Sequence, residues 1–302
     1  MSAGRMRRLC AATLALAAAC TPAWSADPVT TTGSRPQEVG IPAAGWSSAP
    51  ADLRAHWFAP TGTGPHPAVV MVHGCGGAYA RNGQLNARHR MWGELLAAQG
   101  YGALMLDSFS ARGIRELCTQ KHAERPLKES DRVGDAHAAL AWLRQQNSVN
   151  PDRIALLGWS HGGGVTLEAI RQRPAGLAQG FRAAVSFYPG CTRRNRQAHR
   201  FMPYAPLLIL IGEADDWTPS APCVALAETA RNHGAPVDIV TYPGAYHDFD
   251  NPGSGQVRLR ADVPNGVHPG QGVHVGPDPE AREAARQRVL AYLAEQFSSD
   301  KR

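Results

Sequence analysis

Short apolar runs that alternate with helical patterns constrain the fold of this chain more than any other feature. A strand that is covered on both faces has no solvated side, so its sequence is continuously apolar. Residues 68–72 form such a run, and further short, mostly apolar runs that predict strands occur at 101–106, 153–157, 183–187, 207–211 and 237–241. Their alternation with helical patterns predicts an α/β fold, with helices on both faces of a mostly parallel central sheet.

Several helix starts and stops can be read between these runs. Helices are expected at 91–99, from Ser130 or Asp131 to about 146, and from Pro219 or Ser220 onwards. The sequence Asp278-Pro279-Glu280 predicts the start of a last helix, which runs to about residue 297. A capping aspartate, a proline in the first turn and an acid near the positive end of the helix dipole all favour that start.

Two segments are less regular. Residues 53–58 alternate between apolar and polar and predict an edge strand. Residues 251–277 are rich in glycine and proline and predict a long loop without regular structure. A loop of this length in a compact domain is usually functional or mobile.

The first 25 residues predict a secretory signal peptide. Arg5, Arg7 and Arg8 form a basic start, and residues 9–19 form a short apolar run that is too short to span a bilayer comfortably. We therefore expect an exported protein, periplasmic or secreted, without a membrane span. Lipid anchoring at Cys20 is an open alternative.

The charge of the chain gives no reason to expect a nucleic-acid partner. The net charge of +6 falls to +3 without the first 25 residues, because they contain three arginines and no acid. No basic patch is interleaved with aromatic residues. Residues 26–50 are rich in Pro, Gly, Ser and Thr and predict an irregular lead-in, and residues 51–302 predict one α/β domain.

The segment Gly158-Trp159-Ser160-His161-Gly162 follows one of the apolar runs and precedes a helical segment. This Gly-x-Ser-x-Gly pattern is typical of a sharp strand-to-helix turn that holds a serine hydroxyl out of the sheet. The glycines remove the Cβ atoms that would clash in so tight a turn. Ser160 is therefore the candidate nucleophile; a glycine-rich turn with a surface serine is the alternative.

A serine nucleophile needs a base, and the base needs an acid that orients it. In the α/β-hydrolase fold these residues follow the chain order Ser, Asp or Glu, His. Asp215 comes just after the run 207–211, and His247 comes after the run 237–241. We predict His247 as the general acid and base and Asp215 as its orienting carboxylate. The adjacent Asp216 is a rival acid.

The segment His73-Gly74-Cys75-Gly76-Gly77 follows the run 68–72, where this fold places the loop that binds the oxyanion. The backbone N–H groups of Cys75 and His161 are the candidate donors. A glycine-rich turn without a catalytic role is the alternative.

Four cysteines remain after the signal peptide, an even number that favours disulfides in an exported chain. In the α/β-hydrolase fold, the strands that end near Cys75 and Cys118 are neighbours, as are those that end near Cys191 and Cys223. We therefore predict the pairs Cys75–Cys118 and Cys191–Cys223. Four unpaired buried thiols are the alternative.

Taken together, these motifs resemble the dienelactone hydrolase family of α/β-hydrolases over residues 52–297. The resemblance rests on the two glycine motifs above and on Asp107-Ser108-Phe109 with Arg112-Gly113, Gly212-Glu213-Ala214-Asp215-Asp216-Trp217-Thr218-Pro219 and Tyr242-Pro243-Gly244-Ala245-Tyr246-His247-Asp248-Phe249. It implies Asp215 and His247 as the acid and the histidine, and Arg112 as a contact for a substrate carboxylate. The namesake enzyme uses a cysteine nucleophile and is cytosolic, so a different substrate is expected here.

The residues predict a serine hydrolase that cleaves carboxylic esters or lactones, a small-molecule substrate, without a cofactor. Trp159 and Trp217 flank the candidate residues, as does Phe249, and are expected either to line the acyl pocket or to pack in the core. His268 and His274 are expected to be surface residues, and no metal site is expected. A serine peptidase, an acyltransferase or a non-catalytic binding protein on the same scaffold remain alternatives.

Overall fold

The computed structural model describes residues 1, 35–42, 52–171, 180–253 and 255–298. Apart from Met1, the predicted signal peptide lies outside the described residues, and so does the candidate lipidation site at Cys20. Among the described helices, none combines the length and the apolar character needed to cross a bilayer.

A central sheet of eight strands forms the middle of the fold. The strands are β1 (Gln37–Ile41), β2 (Leu53–Phe58), β3 (His66–Val72), β4 (Gly102–Asp107), β5 (Val149–Trp159), β6 (Ala184–Phe187), β7 (Leu207–Gly212) and β8 (Val237–Tyr242). Their order in the sheet is β1-β2-β4-β3-β5-β6-β7-β8. The pairs β1–β2 and β2–β4 are antiparallel, and every other pair is parallel. This mostly parallel sheet confirms the predicted fold class.

Five of the six apolar runs of the sequence form the buried middle of this sheet. Every residue of β4, β6 and β7 is buried, so both faces of the sheet are covered at these strands. All six runs are strands, with ends that differ by a few residues. The run 237–241 forms β8, which lies at an edge of the sheet and is only partly buried. A side chain on either face of a buried strand contacts the core, which is why the apolar pattern identified the other five strands.

The amino-terminal edge of the sheet differs from the prediction. β2 is not an edge strand, because it pairs with β1 on one side and β4 on the other. β1 lies inside the segment that was expected to be irregular, so that expectation is wrong for Gln37–Ile41. Three of its five residues are exposed, and such a strand has no run of apolar residues by which to recognise it.

The longer helices lie near the predicted segments, whereas the short helix at residues 192–195 was not predicted. The helices are α1 (Ala87–Ala98), α2 (Val133–Leu143), α3 (His161–Ala169), α4 (Thr192–Asn195), α5 (Ser220–Asn232) and α6 (Pro279–Ser298). A 3-10 turn at Ser130–Arg132 precedes α2, and neither Ser130 nor Asp131 caps the α-helix. The Asp131 carboxylate instead accepts a hydrogen bond from the Lys128 N–H at 2.7 Å, so it faces the preceding turn.

The start of α6 is as predicted. Asp278 Oδ1 accepts hydrogen bonds from the N–H groups of Glu280 and Ala281, at 3.1 and 3.0 Å. Two N–H groups that have no partner inside the helix are thereby satisfied.

The long segment 251–277 is more ordered than expected. It contains two short antiparallel strands, β9 (Arg258–Arg260) and β10 (Val273–Val275). β10 forms a single bridge with His247, and the Gly276 N–H donates to the His247 carbonyl at 3.0 Å. The β9–β10 hairpin is therefore attached directly to the loop that carries His247.

Candidate active site

The turn between β5 and α3 places Ser160 in a strained conformation. Its φ of 52° lies in the left-handed region, which residues other than glycine rarely adopt. A Cβ atom at Gly158 would lie 2.1 Å from the Gly162 carbonyl oxygen, and one at Gly162 would lie 2.1 Å from the Val72 carbonyl oxygen. The turn is therefore possible only because both positions are glycine, and it packs directly on the end of β3.

The structure brings the three predicted residues together at the carboxyl ends of three strands. His247 Nε2 lies 3.0 Å from Ser160 Oγ, and His247 Nδ1 lies 2.7 Å from Asp215 Oδ2. Since a carboxylate only accepts, Nδ1 carries the proton and donates to Asp215. Nε2 is then an acceptor for the Ser160 hydroxyl. This tautomer is the one that can remove the hydroxyl proton.

The Asp215 carboxylate is buried and held by four donors. Only 3% of the residue is exposed. Its Oδ1 accepts from the N–H groups of Trp217 and Thr218 at 2.9 and 2.8 Å, and its Oδ2 accepts from the Thr218 hydroxyl at 3.0 Å as well as from His247. Hydrogen bonds of this kind stabilise a carboxylate and fix its orientation.

Two aromatic rings enclose the His247 imidazole. The Tyr188 ring centroid lies 4.4 Å from it and the Trp217 centroid 4.7 Å. Tyr188 itself has a φ of 36°, so the backbone beside the site is strained at a second place. Trp217 is partly buried and adjoins the site, as expected for a residue that could line a pocket.

The rival acid Asp216 faces another histidine. Its Oδ2 lies 2.7 Å from His274 Nδ1, and its Oδ1 accepts from the His274 N–H at 2.8 Å. His274 lies on β10, so Asp216 attaches the β9–β10 hairpin to the loop after β7. Between the two adjacent acids, the geometry favours Asp215 as the partner of His247.

The predicted oxyanion loop lies against the serine turn. A Cβ atom at Gly74 would lie 3.4 Å from Ser160 Cβ. As the first residue of α3, His161 has a backbone N–H without a partner inside the helix. The segments that carry the candidate donors Cys75 and His161 therefore lie on either side of Ser160.

Both predicted cysteine pairs are present in the structure. Cys75 is bonded to Cys118, and Cys191 is bonded to Cys223. The first bond attaches the oxyanion loop to the segment that follows β4. The second attaches the segment after β6 to α5, the helix that follows Asp215. Disulfides of this kind are typical of exported proteins.

The structure corrects two candidate substrate contacts. The Arg112 guanidinium binds both oxygens of the buried Asp135 carboxylate, at 2.8 and 2.9 Å, so it is committed to a structural ion pair. Trp159 is fully buried, and its indole N–H donates to Asp250 at 2.8 Å. Phe249 is also fully buried. As the last residue of β5, Trp159 directs its side chain into the core rather than into a pocket.

A buried polar network around Asp250 lies close to His247 and was not predicted from the sequence. Asp250 is fully buried and accepts from the Trp92 and Trp159 indoles at 2.9 and 2.8 Å and from the Tyr188 hydroxyl at 2.5 Å. Arg88 donates to the Tyr188 hydroxyl at 2.9 Å and pairs with Asp248. These contacts join α1, the serine turn and the His247 loop. The only indication of this network in the sequence is that two acids, Asp248 and Asp250, follow His247 closely.

The charge state of Asp248 follows from this network. Burial alone would raise the pKa of its carboxyl, but Arg88, His247 and Asn251 together outweigh burial and lower the pKa to about 2. The φ of Asp248 is 71°. An ion pair thus holds the residue next to His247 in a left-handed conformation that aspartate tolerates better than most residues.

No group of three histidine, cysteine or acidic side chains in the described part of the chain is arranged to hold a metal ion. His274 is engaged by Asp216, as given above.

Comparison with known proteins places this chain in a family. The model of the dienelactone hydrolase family matches residues 53–297. A Bradyrhizobium sp. protein named probable 2-oxo-3-(5-oxofuran-2-ylidene)propanoate lactonase is 26% identical over 209 residues, which cover 65% of this chain and 78% of that protein.

Solved structures share the fold. A Klebsiella pneumoniae subsp. pneumoniae structure, assigned provisionally to the dienelactone hydrolases, has a TM-score of 0.64 at 20% identity and covers 86% of this chain and 98% of its own. The apo form of Thermogutta terrifontis esterase 2 has a TM-score of 0.59 at 22% identity and covers 88% and 97%. The chain belongs to the dienelactone hydrolase family and is a carboxylic ester hydrolase.

Proposed function

We propose that this protein is a serine hydrolase that cleaves carboxylic esters or lactones through an acyl-enzyme. The observation that carries the proposal is the continuous line of hydrogen bonds from Ser160 Oγ through His247 to Asp215. A nucleophile within reach of a base, and a base oriented by a buried acid, is the arrangement that activates a serine.

The first half of the reaction forms the acyl-enzyme. His247 Nε2 removes the Ser160 hydroxyl proton as Oγ attacks the carbonyl carbon, and the carbonyl oxygen becomes an oxyanion. The N–H groups of Cys75 and His161 are proposed to bind this oxygen. The intermediate then collapses as His247 gives its proton to the leaving alkoxide. An ester releases an alcohol at this step, whereas the alcohol of a lactone stays attached to the acyl group.

Water completes the second half. His247 removes a proton from a water molecule, which attacks the acyl carbon, and the proton returns to Ser160 Oγ as the carboxylic acid leaves. Asp215 keeps its negative charge throughout and stabilises the imidazolium that forms in each half. No cofactor is needed for any of these steps.

The wall of the acyl pocket is proposed to include Trp217. This side chain lies beside His247 and packs against the apolar cluster of Val263, Val273 and Val275 in the β9–β10 region. The lactonase named above supports a lactone among the substrates. The two buried disulfides support export from the cytoplasm, in line with the predicted signal peptide.

The proposal is tested by the hydrolysis of p-nitrophenyl esters from acetate to octanoate, and of a γ-lactone, by the wild type and by Ser160→Ala. Ser148→Ala is the matched control, because Ser148 is exposed and directly precedes β5, whereas Ser160 follows the other end of the same strand. We expect turnover that Ser160→Ala abolishes and Ser148→Ala leaves unchanged.

Ester turnover that persists in Ser160→Ala would refute the proposal. Labelling of Ser160 by a fluorophosphonate without turnover of any ester or lactone would instead indicate a peptidase or an acyltransferase. The absence of both labelling and turnover would indicate a binding protein.

A further inference from the structure

Arg132 is a fully buried arginine that the mechanism above does not use. It is the last residue of the 3-10 turn before α2 and has no exposed surface. No carboxylate forms an ion pair with it in the described ranges of the chain, and its Nε has no hydrogen-bond partner there. A buried charge without a paired carboxylate is unfavourable unless something else stabilises it.

The guanidinium contacts both segments that carry the candidate oxyanion donors. Its Nη1 donates to His161 Nδ1 at 2.9 Å, and its Nη2 donates to the His73 carbonyl at 3.0 Å. His161 begins α3 directly after Ser160, and His73 begins the oxyanion loop. Arg132 therefore cross-links the serine turn to the oxyanion loop from the side of the core.

The His73 ring extends this contact to the Cys75 N–H. His73 Nε2 accepts from the Ser108 N–H at 3.2 Å, so the proton of this imidazole is on Nδ1. Nδ1 lies 2.8 Å from the Gly74 carbonyl oxygen and donates to it. That carbonyl shares a peptide unit with the Cys75 N–H. A donor on the oxygen polarises the unit and strengthens the N–H as a donor on its other side.

Three acids near Arg132 have other partners. Asp107 accepts from the N–H groups of Phe109 and Ser110, each at 3.1 Å. Asp135 is held by Arg112 through both oxygens, and Glu129 is held by Arg194 at 2.5 Å. Burial lowers the pKa of Arg132 to about 10, so the guanidinium remains charged at neutral pH. Burial and the Arg132 charge also lower the pKa of His73 and of His161, so both rings are neutral. Arg132 is thus the cation in contact with both donor segments.

We propose that Arg132 is a positioning residue of the oxyanion hole, which fixes the spacing of the two donor segments and places a buried positive charge behind them. The proposal rests on the proposed function, because the oxyanion exists only if Ser160 attacks a carbonyl group. The Phe109 ring, whose centroid lies 4.9 Å from the guanidinium carbon, stabilises the cation only in part. A negative charge that develops in the transition state stabilises the cation further, whereas a neutral bound ester does not. Arg132 therefore acts on the rate rather than on substrate binding.

The test compares Arg132→Gln and Arg132→Lys with the wild type in kcat, in KM and in the inhibition constant of phenylboronic acid. The boronic acid is trigonal and neutral in solution and becomes a tetrahedral anion when a serine oxygen adds to boron. Arg182→Gln is the matched control. Arg182 donates to the Gln296 carbonyl at 2.8 Å and precedes β6. It therefore lies at the amino ends of the strands, whereas Ser160 lies at their carboxyl ends.

We expect kcat to fall between about 10-fold and about 100-fold in Arg132→Gln, somewhat less than for the loss of a direct oxyanion donor. KM should stay within about threefold, and the affinity for the boronic acid should fall by the same factor as kcat. Arg132→Lys keeps the charge but not the double contact, so both losses should be intermediate. Arg182→Gln should change the melting temperature only.

A folded Arg132→Gln variant with wild-type kcat overturns the proposal. A loss of kcat with unchanged affinity for the boronic acid also overturns it. Arg132 would then not stabilise the anionic adduct, and the loss of kcat would have another structural cause. If Arg132→Gln does not fold, Arg132→Lys decides by the same comparison of kcat with boronic acid affinity. Absence of Ser160-dependent turnover in the wild type would instead overturn the proposed function.

Discussion

Two adjacent aspartates in this protein bind two histidines with the same geometry in different surroundings. Asp215 meets His247 and Asp216 meets His274, each with 2.7 Å between a carboxylate oxygen and Nδ1. In the first pair the side chains are 0% and 2% exposed, and in the second they are 30% and 44% exposed. The contact is the same, and the dielectric environment differs.

Under the proposed function, the difference predicts that only the buried pair is catalytic, although both pairs make the same acid–histidine contact. A buried pair is shielded from water and salt, so removal of the acid leaves a polar ring with the wrong tautomer and no solvent to compensate. An exposed pair competes with water and is worth about 0–1 kcal/mol. We infer that the buried pair drives the chemistry and that the exposed pair only attaches the β9–β10 hairpin.

The sharpest test exchanges each acid for its amide. Asp215→Asn should lower kcat on p-nitrophenyl acetate by about 10³-fold to about 10⁴-fold, because asparagine stabilises the wrong histidine tautomer. Asp216→Asn should change kcat by less than about threefold, as an exposed pair would. Steady-state kinetics of the two variants at pH 7 measure both effects. The reverse ranking would make Asp216 the functional acid and refute the assignment.

Asp248, beside His247, extends the comparison from activity to stability. Its carboxyl has a pKa of 3.8 without the protein environment and about 2 in the fold, because Arg88, with smaller contributions from His247 and Asn251, outweighs the effect of burial. A lowered folded-state pKa stabilises the fold above pH 4 by about 2 kcal/mol, and this stability is lost as the pH falls from 4 towards 2.

Asp248→Asn isolates this contribution, and asparagine tolerates the left-handed backbone at this position. Urea unfolding of the wild type and the variant should differ most at pH 6 and should converge as the pH approaches 2. A difference that stays constant across this range would show that the fold does not lower the pKa of Asp248.

The smallest effect is expected from the exposed pair. His274→Ala should lower the free energy of unfolding by less than about 1 kcal/mol, and 1 M NaCl should reduce the difference further. The ring also packs against Tyr246 at 5.3 Å, which is a contact that salt does not screen. Thermal unfolding at low and high salt measures the effect. A tenfold loss of kcat in this variant would instead place the hairpin in the reaction.

The meeting of Ser160, Asp215 and His247 could be predicted because each follows an apolar strand of a parallel sheet. The carboxyl ends of such strands lie at one edge, so residues far apart in sequence converge there. The fold class followed from the same runs. β1 and the two strands of the hairpin were not predicted, because strands of three to five partly exposed residues leave no periodic pattern.

The supporting contacts could not be read from the sequence. Arg132 contacts residues 29 and 59 positions away, and Trp159 donates to a residue 91 positions away. Such contacts depend on side-chain direction and packing after the sheet has formed. The same limit explains why Trp159 and Arg112 were expected near the substrate: sequence proximity to the site does not give the direction of a side chain.

The contact between the turn at Ser160 and the end of β3 has a genetic consequence. Gly162 rests on the carbonyl oxygens of Val72 and His73, with no room for a methyl group. Every change at the first or second base of a glycine codon, short of a stop, adds a side chain. In a deep mutational scan under selection for activity, this codon should therefore tolerate only changes at its third base, even though glycine itself takes no part in the chemistry.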